Sequence, residues 1–150
     1  MADQVTKQII VKADVGQVYD AWANFENFPF FMKNIKAIAK TGERTSHWVM
    51  QGPLGKDLEW DAETTRLDQN KRIAWNSREG GDIQTSGQVT FVELPQNQTQ
   101  ITVTLQYVPP AGKVGEVVAG IFSDPERRLE EDLNNFKAYI EGSQTRTAMA

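Results

Sequence analysis

The order of hydrophobic and polar residues divides the chain into a strand, two short helical segments, six further strands and a long C-terminal helix. Loose alternation from Val5 to Ala13 predicts the first strand. Asp14 can cap the helix that follows, in which Val18 and Trp22 share a face. A second short helical piece runs from Phe25 to Phe28, where Pro29 is expected to end it.

Six segments between residues 35 and 108 have the alternation typical of antiparallel strands joined by short turns. Their predicted bounds are Ile35–Lys40, Thr45–Gln51, Asp57–Leu67, Arg72–Arg78, Thr85–Glu93 and Thr99–Val108. In the clearest case, Ile101, Val103 and Leu105 alternate with threonine and glutamine. Each strand therefore has one apolar and one polar face, as expected of a sheet that is covered on one side only.

The longest helical pattern lies near the end of the chain, from Gly112 to about Glu141. Apolar residues recur there at helical spacing, first at Val114, Val117, Val118, Ile121 and Phe122, and then at Leu129, Leu133, Phe136 and Ile140. Ser123 to Glu126 has the features of a fresh helix start, with Pro125 in the first turn. We expect one long helix that is kinked or interrupted near Asp124, followed by a flexible tail from Gly142 to Ala150.

This order of elements predicts an α+β helix-grip fold over residues 1–141. Seven twisted antiparallel strands with one apolar face curl, and the long helix can lie across the concave side. A curved sheet and a straight helix cannot touch everywhere. The predicted geometry therefore leaves a cavity between them, lined by the inward positions of the strands.

Composition and charge narrow the range of functions. The chain has 150 residues, 39% of them hydrophobic and 24% charged, which is typical of an ordinary globular domain. A net charge of −4 and a pI near 5.0 argue against a nucleic-acid surface. There is no cysteine, so disulfides and thiolate catalysis are excluded. No apolar run is long enough for stable membrane insertion and no signal-peptide pattern is present, so we expect a cytoplasmic location.

Several motifs, in this order and spacing, resemble the START-like superfamily, and most closely its bacterial subgroup of polyketide cyclase/dehydrase and lipid transport proteins. The similarity extends over roughly Val5 to Glu141. The same superfamily also includes pollen-allergen-like ligand binders. The motifs that carry it are Val18-Tyr19-Asp20-Ala21-Trp22, Phe25 to Met32, Glu59-Trp60-Asp61-Ala62-Glu63, Arg72 to Ser77, Gly87-Gln88-Val89-Thr90-Phe91 and Asp132 to Lys137. The resemblance implies binding of an apolar small molecule or lipid, whereas a minority of family members catalyse ring closure or dehydration of polyketides.

Large aromatic side chains are the first candidates for a ligand site. Trp48, Trp60 and Trp75 are predicted to project from successive strands into the same interior. They can fill the core, or they can wall a pocket in which the indole N–H groups anchor a ligand. The same two interpretations apply to the aromatic passage Phe25–Met32. The predicted ligand-binding set is Phe30, Trp48, Trp60, Trp75, Phe91, Tyr107, Val118 and Phe122.

Candidates for catalysis are few. Tyr107 could donate a hydrogen bond to an enolate, and His47, the only histidine, could act as a base if it faced inward. If Trp48 points inward, however, His47 points outward. Glu59, Asp61 and Glu63 line the face opposite Trp60, where pairing with Arg72, Arg78 or nearby lysines is favoured over metal binding. We expect no cofactor and no metal site.

The sequence thus favours a carrier or sensor of an apolar small molecule or lipid, held between the sheet and the C-terminal helix. The alternative is a polyketide cyclase, aromatase or dehydrase. A third possibility is an interaction module whose aromatic passage docks a membrane or protein partner. The sequence makes no prediction about the oligomeric state.

Overall fold

The structure is a computed structural model that describes residues 3–32, 35–51, 57–108 and 125–149. The chain begins with strand β1 (Asp3–Val11), helix α1 (Val15–Ala23) and a short 3-10 helix (Phe25–Phe30). Six strands and a helix follow: β2 (Ile35–Lys40), β3 (Thr45–Gln51), β4 (Asp57–Asp68), β5 (Arg72–Ser77), β6 (Gln84–Leu94), β7 (Gln98–Val108) and α2 (Pro125–Met149). The predicted order of elements is confirmed.

The strands form one curled antiparallel sheet in the order β1-β7-β6-β5-β4-β3-β2. Strands β2 to β7 are a meander, because each pairs with the next strand in the chain. Strand β1 pairs with β7, so the first strand completes the sheet beside the last. Irregular register at Ile35/Ala37 in β2 and at Thr64/Arg66 in β4 adds local bends of the kind that help a sheet to curl. The helix-grip prediction is confirmed.

The two elements after β1 begin and end for local reasons. The side chain of Asp14 accepts a hydrogen bond from the backbone N–H of Gly16 at 2.9 Å and so caps α1, as predicted. The 3-10 helix includes Pro29, at which the sequence predicted the helix to end. The backbone N–H groups of Phe31 and Met32 both donate to the carbonyl of Phe28 and close this turn, so the missing N–H of Pro29 does not break it.

Helix α2 presents its apolar stripe to the interior. Leu129, Leu133, Phe136 and Ile140 are all buried, as their helical spacing predicted. The earlier part of the predicted long helix, Gly112 to Asp124, lies outside the described residues. At the other end, α2 continues to Met149, through residues predicted to be a tail. The segment from Ser143 to Met149 contains neither glycine nor proline. No residue type in it therefore disfavours continuation of the helical backbone hydrogen bonds.

Two charged side chains of α2 hold the helix against β1. The Lys137 Nζ donates to the backbone carbonyl of Ile10 at 3.3 Å and to Glu141 Oε2 at 2.7 Å. Glu141 Oε2 also accepts from the backbone N–H of Lys12 at 2.9 Å. These contacts fix the position of α2 against the end of β1, one of the two edge strands of the sheet.

Candidate functional site

One part of the interior is filled by aromatic rings in direct contact. Trp22 of α1 lies against Phe28, Phe31 and Phe136, with ring centroids 5.1–5.5 Å apart. All four side chains are at most 2% exposed. Edge-on and tilted arrangements at these distances are those of a packed core. This region, between α1, the 3-10 helix and α2, is therefore closely packed, and we call it the plug.

Three tryptophans from neighbouring strands line the inward face of the sheet beside this plug. Trp48 of β3 stacks on Trp60 of β4 at 5.7 Å and on Trp75 of β5 at 6.2 Å, with interplanar angles of 24° and 22°. Phe25 lies against both Trp48 and Trp75. The tryptophans are thus brought together on one face, where they present flat aromatic surface to the interior.

A glycine on β6 makes room for one of these rings. Gly87 pairs with Trp75 in the sheet, and a Cβ placed on Gly87 would lie 2.4 Å from Cζ2 of Trp75. The indole of Trp75 therefore lies flat across the backbone of β6, where any side chain would displace it. Next in register on β7 is Leu105, which is only half-buried.

Small residues cross the inward face of the sheet between two aromatic walls. Trp48 and Trp60 form one wall, and Trp75 forms the other. Ser46, Ala62 and Ser77 are paired in register across β3, β4 and β5. Thr85 of β6 follows, and its backbone N–H donates to Ser77 Oγ at 2.9 Å. Each lies two residues from Trp48, Trp60, Trp75 or Gly87, and so on the same face. We call Ser46, Ala62, Ser77 and Thr85 the small-residue row; Ser46 and Ala62 are buried, whereas Ser77 and Thr85 are partly exposed.

The hydrogen bonds of the two stacked indoles on β3 and β4 differ. The Nε1–H of Trp48 donates to Ser46 Oγ at 2.8 Å. The Nε1–H of Trp60 is buried and has no acceptor in the described part of the chain, as is also true of Trp22. The register explains the difference: Ala62 is the partner of Ser46 on β4 and offers no oxygen near Trp60. A buried donor without an acceptor is costly, typically by about 1–3 kcal/mol.

The position of Trp60 is also fixed by the loop between β5 and β6. The backbone N–H of Asp82 donates to the carbonyl of Glu59, and Asp82 Oδ2 accepts from the backbone N–H of Glu59. Gly81 packs so closely that an added Cβ would lie 2.6 Å from the Cβ of Trp60. The loop therefore continues the backbone pairing of β4 past the end of β5. It also restricts the position of Trp60.

The other predicted ligand-binding residues are more widely distributed. Phe91 is buried and meets Tyr19 edge to face at 5.6 Å, some distance along β6 from Gly87. Phe30 is 72% exposed and stacks on Tyr139 of α2, outside the plug. Val118 and Phe122 lie outside the described residues, as does the side chain of Tyr107, whose backbone pairs with Asp3 and Thr85. Among the members of the set whose side chains are described, Trp48 contacts both Trp60 and Trp75.

Two interior residues were not among the predicted site residues. Trp22 was assigned only to a helix face, yet its indole is a second buried donor without an acceptor among the described residues. Tyr19 is also buried on α1, and its desolvation, followed by the nearby charges of Asp20 and Asp68, raises its pKa. The signal for both was the helical spacing of apolar positions, which predicts burial but not the partner of a polar atom.

His47 lies on the outer face of the sheet, opposite the tryptophans. Its Nδ1 is 2.9 Å from Asp61 Oδ1 and its Nε2 is 2.9 Å from Glu59 Oε1. These hydrogen bonds, to Glu59 first and then to Asp61, raise the pKa of His47, because the carboxylates favour the doubly protonated ring. Glu59 and Asp61 therefore pair with His47, whereas the sequence pointed to Arg72, Arg78 or nearby lysines as partners. Among the described residues, no group of three potential ligands is arranged for a metal ion.

The model of one protein family, described as polyketide cyclase/dehydrase and lipid transport, matches residues 11–134. A relative from Streptomyces lincolnensis is 32% identical over 138 residues, which are 92% of this chain and 89% of that protein. It is described as an uncharacterized 17.2 kDa protein in the melC2-rnhH intergenic region. The similarity therefore covers nearly the whole of both chains.

Solved structures have the same architecture. A protein of Deinococcus radiodurans is 27% identical, with a TM-score of 0.74 over 93% of this chain and 99% of that one. The Zhui aromatase/cyclase of Streptomyces sp. R1128 is 18% identical, with a TM-score of 0.72 over 94% of each chain. A START superfamily protein of Mycobacterium smegmatis has a TM-score of 0.70 at 16% identity, over 93% of this chain and 97% of that one. At such low identity the last two show a common fold only. None of the helices in the described part of this chain is long and apolar enough to span a membrane.

Proposed function

The chain belongs to the polyketide cyclase/dehydrase and lipid transport family, and on this premise we propose that it binds an apolar small molecule or lipid between the sheet and its C-terminal helical region. The observation that carries the proposal is the small-residue row between aromatic walls, beside a buried indole N–H without an acceptor among the described residues. Ligand pockets are mostly apolar with a few polar groups that set orientation, and this part of the interior has that character.

The position of the ligand follows from what is already packed. Phe28, Phe31 and Phe136 surround the Trp22 ring in the plug, so we place the ligand on the other side of Trp48 and Trp75. There the row has no side chain larger than threonine, whereas the neighbouring inward positions on β3, β4 and β5 include Trp48, Trp60 and Trp75. Ser77 and Thr85 are partly exposed, so we expect the ligand to enter the interior at this end of the row. Apolar contact would supply roughly 25 cal/mol per Å² of buried surface.

The test is to fill the row and measure binding. N-phenyl-1-naphthylamine, an apolar dye that brightens in apolar surroundings, is titrated into the wild-type protein and two variants. Ser77→Leu places a larger side chain in the row, while Asn76→Leu places the same side chain on the outer face of the same strand. We expect wild type and Asn76→Leu to bind alike and Ser77→Leu to bind at least about tenfold more weakly, a loss of about 1.4 kcal/mol.

Two results would contradict the proposal. One is a wild-type protein that binds neither the dye nor any molecule that native mass spectrometry detects after mild purification. The other is equal binding by Ser77→Leu and wild type in variants that circular dichroism shows to be folded. Either would mean that the row is ordinary core.

Polyketide cyclisation is the second candidate, and the Trp60 indole is the observation in its favour. A buried N–H could stabilise the oxygen of an enolate, as such a reaction requires. The general base is the weaker part of this hypothesis, because His47, the candidate base, lies on the outer face and is held by Glu59 and Asp61. Binding without chemistry is therefore favoured. Turnover of a reactive poly-ketone that is lost in Tyr107→Phe, with ligand affinity retained, would reverse this preference.

A further inference from the structure

We propose that the bound molecule carries a hydrogen-bond acceptor, such as a ketone or ester carbonyl oxygen, and that the Trp60 Nε1–H donates a hydrogen bond to it. This inference rests on the proposed function and identifies the chemical class of its ligand. Trp60 is 3% exposed, and its indole N–H has no acceptor in the described part of the chain. A ligand oxygen would remove the penalty of that buried donor, whereas a pure hydrocarbon would leave it in place.

Trp48 and Trp60 differ in whether their indole N–H groups already have an acceptor, and this difference is why we assign the ligand contact to Trp60. The two indoles stack on adjacent strands, yet Trp48 already donates to Ser46. At the equivalent place on β4 the chain has Ala62, and the next inward residue on the other side is Leu58. Neither side chain can accept a hydrogen bond. Of the three indoles beside the small-residue row, Trp60 is thus the one whose buried N–H has no acceptor in the described part of the chain.

Trp22, whose buried indole N–H likewise has no acceptor among the described residues, is less suited to this role. Phe28, Phe31 and Phe136 surround its ring at centroid distances of 5.1–5.5 Å, within the plug. Trp60, in contrast, is beside Ala62, and the loop at Gly81 and Asp82 packs against its Cβ and pairs with the backbone of Glu59. A donor fixed in place loses little entropy on binding, so it can discriminate between ligands by the presence of one oxygen.

The experiment compares two probes of nearly equal shape. 2-Acetylnaphthalene has a carbonyl oxygen where 2-isopropenylnaphthalene has a CH₂ group, so the ratio of their affinities reports the acceptor alone. The ratio is measured by calorimetry in wild type, Trp60→Phe and Trp48→Phe. Both variants lose the same ring volume, but Trp48→Phe removes an N–H that Ser46 already satisfies. We expect the ketone-to-alkene ratio to fall about tenfold in Trp60→Phe and by clearly less in Trp48→Phe.

A second measurement uses the wild-type protein and so does not depend on the variants folding. In a ¹⁵N-labelled sample, the indole N–H signal of Trp60 should move downfield when the ketone binds and not when the alkene binds. The inference is overturned if both probes bind but the affinity ratio is the same in Trp60→Phe, or if the Trp60 signal responds equally to both. If neither probe binds, the proposed function fails together with it.

Discussion

A substitution at Gly87 is the sharpest test of how the Trp75 ring packs against the backbone of β6. A methyl group added there would lie 2.4 Å from Cζ2, 2.7 Å from Cε2 and 2.9 Å from Cη2 of Trp75. The ring cannot move aside easily, because it is buried and Phe25, Phe28 and Trp48 pack around it. Overpacking of this kind costs typically about 1–3 kcal/mol. Alanine is favoured over glycine within a strand by about 0.5–1 kcal/mol, which offsets part of that loss.

We therefore expect Gly87→Ala to lower the free energy of unfolding by about 1–2 kcal/mol, which is a fall in Tm of about 2–8 °C for a chain of this size. In a Trp75→Phe background the colliding benzo-ring atoms are absent, so the same change should be neutral or stabilising by up to about 1 kcal/mol. The resulting coupling energy between the two positions is about 2 kcal/mol. Urea unfolding followed by far-ultraviolet circular dichroism measures all four proteins, since tryptophan fluorescence is itself altered.

Gly142 provides the matched control for this cycle. It lies in α2, where an added Cβ would meet nothing within 4 Å. Gly142→Ala should therefore be stabilising, by up to about 1 kcal/mol from helix propensity. The reasoning is refuted if Gly87→Ala is as stable as wild type, or if it loses the same free energy with phenylalanine at position 75.

Three further predictions concern other parts of the fold. Phe136→Ala should lower the free energy of unfolding by about 3–5 kcal/mol, because it opens a cavity beside Trp22, and denaturant unfolding measures this. His47 has a raised pKa, so its pairing contributes fully below about pH 6.5 and is lost as pH rises through the folded-state pKa. His47→Gln should remove that pH dependence from a stability-against-pH series; since the site is partly exposed, the effect is at most about 1 kcal/mol. Burial alone would raise the pKa of Glu141, but donation by Lys137 and by the backbone of Lys12 outweighs it and lowers that pKa. Glu141→Gln should therefore speed hydrogen exchange at the Lys12 amide, and unchanged exchange there would contradict the contact.

The architecture could be predicted because its determinants are local. Alternation identifies each strand within a residue or two, and the spacing of Leu129, Leu133, Phe136 and Ile140 correctly gives the buried face of α2. The polar turns between the strands impose a meander, and one-faced strands require a cover. These features need no knowledge of distant contacts.

The contacts within the candidate site could not be predicted, because they depend on strand register, which a local sequence pattern does not contain. The inward direction of Trp48 and Trp60 follows from alternation, but the presence of Ser46 beside one indole and Ala62 beside the other follows from strand register. Register also places His47 opposite Asp61 and gives it two carboxylate partners. Likewise, Phe30 belongs to an aromatic passage that is mostly buried, yet its position at the end of the 3-10 helix leaves it exposed.

The contacts of Lys137 and Glu141 with β1 have a consequence for how this protein behaves at high concentration. An outermost strand with free backbone groups is a template on which another molecule can add a strand and begin an aggregate. Here a lysine and a glutamate of α2 occupy the carbonyl of Ile10 and the amide of Lys12, so that template is partly blocked by the molecule's own helix. Protection against self-association is thus built into the same contacts that dock the helix, and a chain shortened before residue 137 would lose both together.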